Sequence, residues 1–215
     1  MAGYNTSSME DQLWKYQVDR GSWHRIEPMI LARQLHSYGF VPIPLHDKVP
    51  VISRWEQTNY NEALTIFERS LKNRSRATNN VGVLNGHVPS APFNFVVVDV
   101  DVDRNGMSTW KQYIQHYGEP DTYRVRTGRA GMHYYFLYND RVKHFKNMKD
   151  ILGVGIDFKT DGGQILAPGS VNYTTNAAYL VLGGMPDNRL QILEMPDWLF
   201  NVLQQHENDL STRRK

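Results

Sequence analysis

Two carboxylates lie at the end of an apolar run, Phe95-Val96-Val97-Val98-Asp99-Val100-Asp101. The run predicts a buried strand, and because side chains of a strand alternate in direction, Asp99 and Asp101 point to the same face. Two like charges so close together repel each other, and partial burial removes part of their hydration. The pair therefore needs a compensating cation, and a divalent metal ion with oxygen ligands meets that need.

A third acid, Asp157, lies in the segment Val154-Gly155-Ile156-Asp157-Phe158-Lys159. In a strand, Asp157 and Lys159 face one side of the sheet, and Ile156 and Phe158 face the core on the other side. Three carboxylates on one sheet face suit two divalent ions about 3.5–4 Å apart, which activate an attacking hydroxyl and stabilise a departing pyrophosphate. Asp103 precedes Arg104-Asn105-Gly106 and is instead predicted to serve a turn or a helix cap.

A turn with two glycines leads into a histidine in Thr127-Gly128-Arg129-Ala130-Gly131-Met132-His133. Backbone N–H groups of such a turn can approach anionic oxygens, Arg129 adds positive charge, and His133 can donate to a phosphate. These features favour a triphosphate-binding turn, but a histidine among aromatic residues also fits a structural role. Lys159 can hold a phosphate as a point charge or form a surface ion pair with Asp161, and both interpretations stay open.

The composition excludes several classes of protein. The 215-residue chain has no cysteine and a formal net charge of +2, so disulfides and cysteine-ligated zinc are ruled out. No segment approaches the roughly 20 apolar residues of a membrane-spanning helix, and the first residues lack the apolar run of a signal peptide. We therefore expect a soluble, cytoplasmic protein without a membrane partner.

The apolar periodicity predicts an α+β fold with a mostly antiparallel sheet. Helices are expected from Glu27-Pro28 to Gly39, over 61–72, over 106–117 and from Met195-Pro196-Asp197 onward. Strands are expected over 40–45, 81–84, 93–101, 123–127, 132–138, 155–159, 164–167 and 179–182. Residues 1–24 are expected to form an N-terminal arm, 25–205 the folded domain and 206–215 a flexible tail.

Taken in order, three motifs resemble the primase-polymerase (prim-pol) domain of the archaeo-eukaryotic primase superfamily. They are Val98-Asp99-Val100-Asp101, the 127–133 segment, and Ile156-Asp157-Phe158-Lys159 with Gly162-Gly163 and Ala167-Pro168-Gly169-Ser170. Supporting segments are 38–44, Lys48-Val49-Pro50 with Trp55, and 80–86. The resemblance covers residues 26–200, nearly the whole expected domain.

The resemblance implies a catalytic sheet like that of an RNA-recognition motif (RRM), joined to a smaller α/β lobe, with the active site in the cleft between them. It implies that Asp99, Asp101 and Asp157 bind two Mg²⁺ or Mn²⁺ ions and act with His133 in catalysis. It also implies that residues of the two turns bind the nucleotide, namely Thr127, Gly128, Arg129, Gly131, His133, Lys159, Gln164 and Ser170.

The implied function is that of a DNA primase/polymerase. Such an enzyme adds nucleotides from NTPs or dNTPs to a primer on a single-stranded DNA template, here in replication of a plasmid or phage-like element. The expected setting is the cytoplasm of a bacterial, archaeal or virus-infected host cell. Members of the family often precede a helical accessory domain and a helicase, so these are expected partners of a stand-alone or excised catalytic module.

Other functions are open on the residues alone. A non-catalytic single-stranded-DNA-binding module would explain the 12% aromatic content and the arginines interleaved with aromatics over 123–138, but not the three acids. A metal-dependent nuclease would use the acids but not the triphosphate-binding turn. A rolling-circle nickase is disfavoured because the chain lacks a His-hydrophobe-His metal motif.

Overall fold

The computed structural model describes residues 26–72, 77–182 and 191–213, so the expected arm over 1–24 lies outside the described residues. Within them the chain is α+β, as predicted. The helices are α1 (Pro28–Ser37), α2 (Ala63–Lys72), α3 (Gly106–Tyr117) and α4 (Asp197–Arg213). A short 3-10 helix spans Trp55–Gln57. None of the helices in these ranges is long and apolar enough to cross a membrane.

The strands are β1 (Pro42–His46), β2 (Val49–Pro50), β3 (Asn80–Asn85), β4 (Phe95–Val100), β5 (Arg124–Arg126), β6 (Met132–Leu137), β7 (Ile156–Lys159), β8 (Gly163–Leu166), β9 (Val171–Asn172), β10 (Ala177–Ala178) and β11 (Leu180–Leu182). Five of them form the large sheet, in the order β11-β5-β6-β4-β7. Four form the small sheet, in the order β2-β1-β3-β8, and β9 pairs with β10. Neighbouring strands pair antiparallel throughout.

The large sheet separates two apolar cores. On one face, Val98 of β4 packs in a cluster with Trp110 of α3 and Leu199 of α4. On the other face, Val97 packs in a cluster with Ile43 of the small sheet and with residues of α1 and α2. The domain is therefore layered as helices, large sheet, small sheet and helices.

Burial along β4 decreases towards its C-terminal end on the face that meets the small sheet. Phe95 and Val97 are buried, whereas Asp99 and Asp101 are partly exposed. The apolar side chains on this face of β4 are thus followed directly by the two acids. The two carboxylates lie at the rim of the core between the sheets, where solvent and ligands can reach them.

Helix α1 shows how the local sequence sets the element boundaries. Pro28 occupies the first turn, where its missing N–H costs nothing, and the Glu27 side chain accepts a hydrogen bond from the Ile30 N–H at 2.9 Å. Gly39 ends the segment with a φ of 94°, which favours glycine. The sequence predicted Ile30 in the apolar stripe, but it is 54% exposed, and Leu31 and Leu35 line the core.

Two features differ from the sequence-based expectation. Strands β7 and β8 flank a turn as predicted, here over 160–162, but they belong to different sheets, so the turn crosses from the large sheet to the small one. Helix α4 continues to Arg213, although a flexible tail was expected from residue 206. Polar residues there keep helical geometry because the helix has already been nucleated by its packed first turns.

Candidate active site

Strand register brings two of the acids and the histidine into one row. Asp99 on the central strand β4 lies opposite His133 on β6 and opposite Asp157 on β7. Directly opposed residues of neighbouring strands share a face and have Cβ atoms roughly 5 Å apart. His133, Asp99 and Asp157 therefore form a row across three strands, and Asp101 lies two residues further along the same face.

Asp99 and His133 form a close pair. The Asp99 Oδ1 atom lies 3.4 Å from His133 Nε2. Burial acts to raise the pKa of Asp99, but the charge of His133 and its hydrogen bond, with smaller effects of Lys159 and Lys48, lower the pKa below its ordinary value. His133 is only 4% exposed, and its Nδ1 atom has no hydrogen-bond partner among the described residues. The carboxylate of Asp99 is thus kept ionised by a buried imidazole.

Asp157 is 8% exposed and has partners at both carboxylate oxygens. Oδ1 accepts a hydrogen bond from the Asp150 N–H at 3.0 Å and lies 3.8 Å from Arg104 Nη1. Oδ2 accepts from Lys159 Nζ at 2.8 Å. Lys159 therefore pairs with Asp157 and not with Asp161, the alternative that the sequence left open.

Asp101 is the acid whose charge is least compensated. Burial raises its pKa, and the like charges of Asp99 and Asp157 raise it further, against smaller opposing effects of Lys48 and Arg104. No Lys, Arg or His within the described ranges forms an ion pair with it. This imbalance is the physical sign of a place where additional positive charge is favoured.

The predicted phosphate-binding turn is closed on itself by hydrogen bonds. Thr127 N–H donates to the Gly131 carbonyl at 2.9 Å, the Ala130 N–H donates to the Thr127 carbonyl at 2.9 Å, and the Gly131 N–H donates to Thr127 Oγ1 at 3.0 Å. In the described part of the chain, the N–H groups of Gly128 and Arg129 have no such acceptor. These two N–H groups, one on the buried Gly128 and one on the exposed Arg129, are thus left unpaired by the backbone of the chain.

The two glycines of this turn are required because neighbouring atoms leave no room for a Cβ atom, and not because the backbone there needs a left-handed conformation. A Cβ atom on Gly131 would come well within 3.0 Å of the Val100 carbonyl, and one on Gly128 would come equally close to Asn172. The left-handed position of the turn is occupied by Ala130, with a φ of 63°. Gly131 thus lets the turn approach the end of β4, next to the acids.

Arg129 pairs with Asp103 across the rim, from its Nη1 atom to Oδ2. Asp103 lies in the turn between β4 and α3, as predicted, although the N-cap position of α3 belongs to Asn105. The ion pair joins the 127–131 turn to the end of β4. Both side chains are exposed, so the guanidinium can exchange Asp103 for another anion at little cost.

Two further predicted nucleotide contacts have structural partners. Ser170 is buried, and its hydroxyl donates to the Val81 carbonyl of β3 at 2.7 Å. Gln164 on β8 donates from Nε2 to the Lys48 carbonyl at 3.1 Å. The structure ties both side chains to the small sheet and does not bring either into contact with the three acids.

Sequence reasoning missed three charged residues around the row. Arg104 and Asp150 both contact Asp157, and the charge of Lys48, from the turn between β1 and β2, acts to lower the pKa of Asp99 and Asp101. Lys48 had been noted only as part of the resemblance. Arg104 and Asp150 lie in turns without periodicity, where the sequence carries no signal of what they contact.

The donor atoms fit a hard divalent cation in their chemistry, because all three acids offer carboxylate oxygens on one face. As the side chains are placed, no group of three His, Asp or Glu within the described residues is arranged to hold a metal ion. Each oxygen of Asp157 accepts one hydrogen bond, from the Asp150 N–H and from Lys159. Each therefore keeps a second lone pair that a metal ion could use.

The chain is thus an antiparallel α+β domain with three carboxylates on one face of its large sheet. The family model of the bifunctional DNA primase/polymerase N-terminal domain (Prim-Pol) matches residues 31–198. The chain belongs to the Prim-Pol family, which confirms the resemblance seen in its motifs. A search of curated proteins gives no match. Family membership indicates a primase/polymerase-type function in DNA replication, with DNA and nucleotides as substrates.

Proposed function

We propose that this chain catalyses template-directed nucleotidyl transfer from NTPs or dNTPs to a primer, with two Mg²⁺ or Mn²⁺ ions held by Asp99, Asp101 and Asp157. The observation that supports this most directly is the strand register, which sets Asp157 and Asp99 opposite each other and Asp101 on the same face. Burial and the like charges of Asp99 and Asp157 raise the pKa of Asp101, which supports a place there for additional positive charge. When bound, the ions would activate the primer 3′-hydroxyl and neutralise the triphosphate.

The residues around the acids have separate roles in this proposal. His133 keeps Asp99 ionised and in place, because its Nε2 lies 3.4 Å from the carboxylate. Lys159 balances the charge of Asp157 and would offer its ammonium group to a nucleotide phosphate. The free N–H groups of Gly128 and Arg129, with the Arg129 guanidinium, provide phosphate contacts in a turn held by Thr127.

The topology supports an RRM-like catalytic sheet. The chain runs β4, α3, β5, β6 and β7, and four of these elements are strands that lie in the order β5-β6-β4-β7. This is the order of elements in a β-α-β-β-α-β unit that lacks its second helix. Turns replace the second helix between β6 and β7. The small sheet, with α1 and α2, would then be the second lobe of the cleft.

Single-strand binding without catalysis loses its main support. The aromatic residues that would stack on bases are largely buried, since Tyr123 is 7%, Tyr134 is 1%, Tyr135 is 0% and Phe136 is 0% exposed. Stacking requires an accessible ring face. The aromatic residues of this segment belong to the two apolar cores.

We also propose the setting that the resemblance implies. The reaction would take part in cytoplasmic replication of a plasmid or phage-like element, together with a helicase or a helical accessory domain.

The proposal is tested by primer extension with the Asp99→Asn variant. The full chain is incubated with a primed single-stranded DNA template, labelled dNTPs or NTPs and Mn²⁺ or Mg²⁺, and products are resolved by length. We expect metal-dependent extension by the wild type and a loss of about a thousandfold or more in the variant, in keeping with removal of a metal ligand. An unprimed template in the same assay separates primer initiation from extension.

The matched control is Asp140→Asn, which removes an exposed surface carboxylate paired with Lys143. It should extend primers like the wild type. Full activity of Asp99→Asn would refute the assignment of the acids. DNA binding that is unaffected by EDTA, with no incorporation under any metal, would favour the single-strand-binding function instead.

A further inference from the structure

Behind Asp157 lies a network that the proposed reaction does not use. Asp150 donates its N–H to Asp157 Oδ1 at 3.0 Å, and its own Oδ1 accepts from the Gly155 N–H at 2.7 Å. Its Oδ2 pairs with Arg104 Nη2. Arg104 Nη1 then lies 3.8 Å from Asp157 Oδ1, beyond hydrogen-bond distance.

The backbone fixes this network against the end of β4. The Gly155 carbonyl accepts from the Asp101 N–H at 2.7 Å. Asp150 has a φ of 56° and Gly155 a φ of 82°, so the 150–155 loop is held in left-handed conformations at both ends. A Cβ atom on Gly106 would collide with the Gly155 carbonyl. The loop therefore has a fixed position relative to Asp101 and Asp157 together.

Arg104 stands between two acids and is shared unequally. Asp150 holds the guanidinium by a direct ion pair, whereas Asp157 Oδ1 lies 3.8 Å from Arg104 Nη1. The side chains of Arg104 and Asp150 are 30% and 33% exposed. The side chain of Asp157 is 12% exposed, so it is the more buried of the two carboxylates. A guanidinium released from Asp150 would find Asp157 its nearest remaining anion.

We propose that Asp150 is a positioning residue that keeps Arg104 off Asp157, so that the Asp157 carboxylate stays available to a divalent cation. This inference rests on the proposed function, since it concerns the metal-binding role of Asp157. Groups that hold a metal ligand in place through hydrogen bonds commonly change metal affinity about tenfold or more when they are removed. Asp150 makes two contacts in this role. Its backbone N–H donates to Asp157 Oδ1, and its carboxylate pairs with the Arg104 guanidinium.

The Asp150→Asn variant separates charge from shape. Asparagine still accepts the Gly155 N–H and tolerates a left-handed backbone, but it does not hold the guanidinium by charge. Arg104 then pairs with Asp157 and competes with the cation. We expect Mn²⁺ binding, measured by titration calorimetry on the full chain, to weaken about tenfold, with a parallel rise in the Mn²⁺ concentration for half-maximal incorporation.

The double variant Arg104→Gln/Asp150→Asn tests the mechanism. If Asp150 acts by restraining Arg104, removing the guanidinium restores Mn²⁺ binding to within about threefold of the wild type, because the two changes are coupled. A purely structural role for Asp150 predicts no rescue. Arg104→Gln alone should bind Mn²⁺ at least as tightly as the wild type, which provides a readout if Asp150→Asn does not fold.

The outcomes are distinguishable from failure of the proposed function. A wild type that neither binds Mn²⁺ nor incorporates nucleotides overturns both proposals. A wild type that does both, with an Asp150→Asn variant of unchanged Mn²⁺ affinity or a double variant without rescue, overturns only the role of Asp150. Weaker binding by Arg104→Gln alone also overturns it. Asp140→Asn, with its exposed carboxylate, serves again as the control for loss of a surface charge.

Discussion

Neutralising Asp101 should stabilise the fold in the absence of metal. The carboxylate is partly buried and repelled by Asp99 and Asp157, and these causes raise its pKa. The Asp101→Asn variant keeps the shape of the side chain and removes the repulsion. We expect the same change that abolishes metal-dependent activity to raise the free energy of unfolding in EDTA.

The size of the effect follows from the strand geometry. The Cα atoms of Asp99 and Asp101, two residues apart along the strand, are about 6.6 Å apart at a rise of about 3.3 Å per residue, and the same separation is used for the two charges on one face. Coulomb's law then gives about 2.5 kcal/mol at an effective dielectric constant of about 20 and about 0.6 kcal/mol in bulk water. Because Asp101 is partly solvated, we expect about 1 kcal/mol, which corresponds to about 2–4 °C in Tm for a chain of this size.

The pH dependence has a defined sign. A carboxylate whose pKa is raised in the folded state destabilises the fold in its charged form, so stability falls as pH rises through that pKa. The advantage of Asp101→Asn should therefore be small near the ordinary value of 3.8 and reach its full size at pH 7. Thermal unfolding followed by circular dichroism in EDTA, at several pH values, measures both quantities.

Manganese should reverse the order of stability. Mn²⁺ stabilises only a folded state that binds it, so the wild type gains Tm on its addition and Asp101→Asn gains much less. An equal or lower Tm of Asp101→Asn in EDTA at pH 7 would refute the argument that the acids repel one another. An advantage of constant size from pH 4 to pH 7 would refute the assignment of the effect to the Asp101 charge.

Two further predictions concern the supports of the site. Gly131→Ala should lower the free energy of unfolding by about 1–3 kcal/mol in urea titrations, because the added Cβ collides with a carbonyl of β4. Ser170→Ala should cost about 1 kcal/mol, because it removes the hydrogen bonds of a buried hydroxyl with the Val81 carbonyl and N–H, and it should leave the nucleotide KM unchanged; a raised KM at normal stability would show that Ser170 contacts the nucleotide.

Much of the fold could be predicted because its elements have strong local patterns. The bounds of α3, over 106–117, match the expectation, and β4 and β6 lie within the expected strands. The pairing of β7 and β8 with different sheets could not be predicted, since a glycine-containing turn between two strands is equally typical of a hairpin. Their partners are set by contacts distant in sequence.

The row of acids was predictable in part. Alternation along β4 places Asp99 and Asp101 on one face, alternation over 154–159 adds Asp157, and the glycine turn before His133 marks the histidine as a candidate. The pairings within the site were not predictable, because an ion pair such as that of Arg104 with Asp150 joins turns far apart in the chain. The close approach of Gly131 to β4 likewise depends on a neighbouring strand and not on the turn itself.

The alignment of His133, Asp99 and Asp157 across three strands has a consequence for how this chain can change over generations. A single-residue insertion or deletion within β4 ahead of Asp99 would turn that carboxylate into the apolar core beneath α3 and α4, and bring a valine to the rim. Loss of activity and loss of folding would then occur together. Length variation is therefore expected in the turns that join the strands, while the strands around the acids can vary only by substitution.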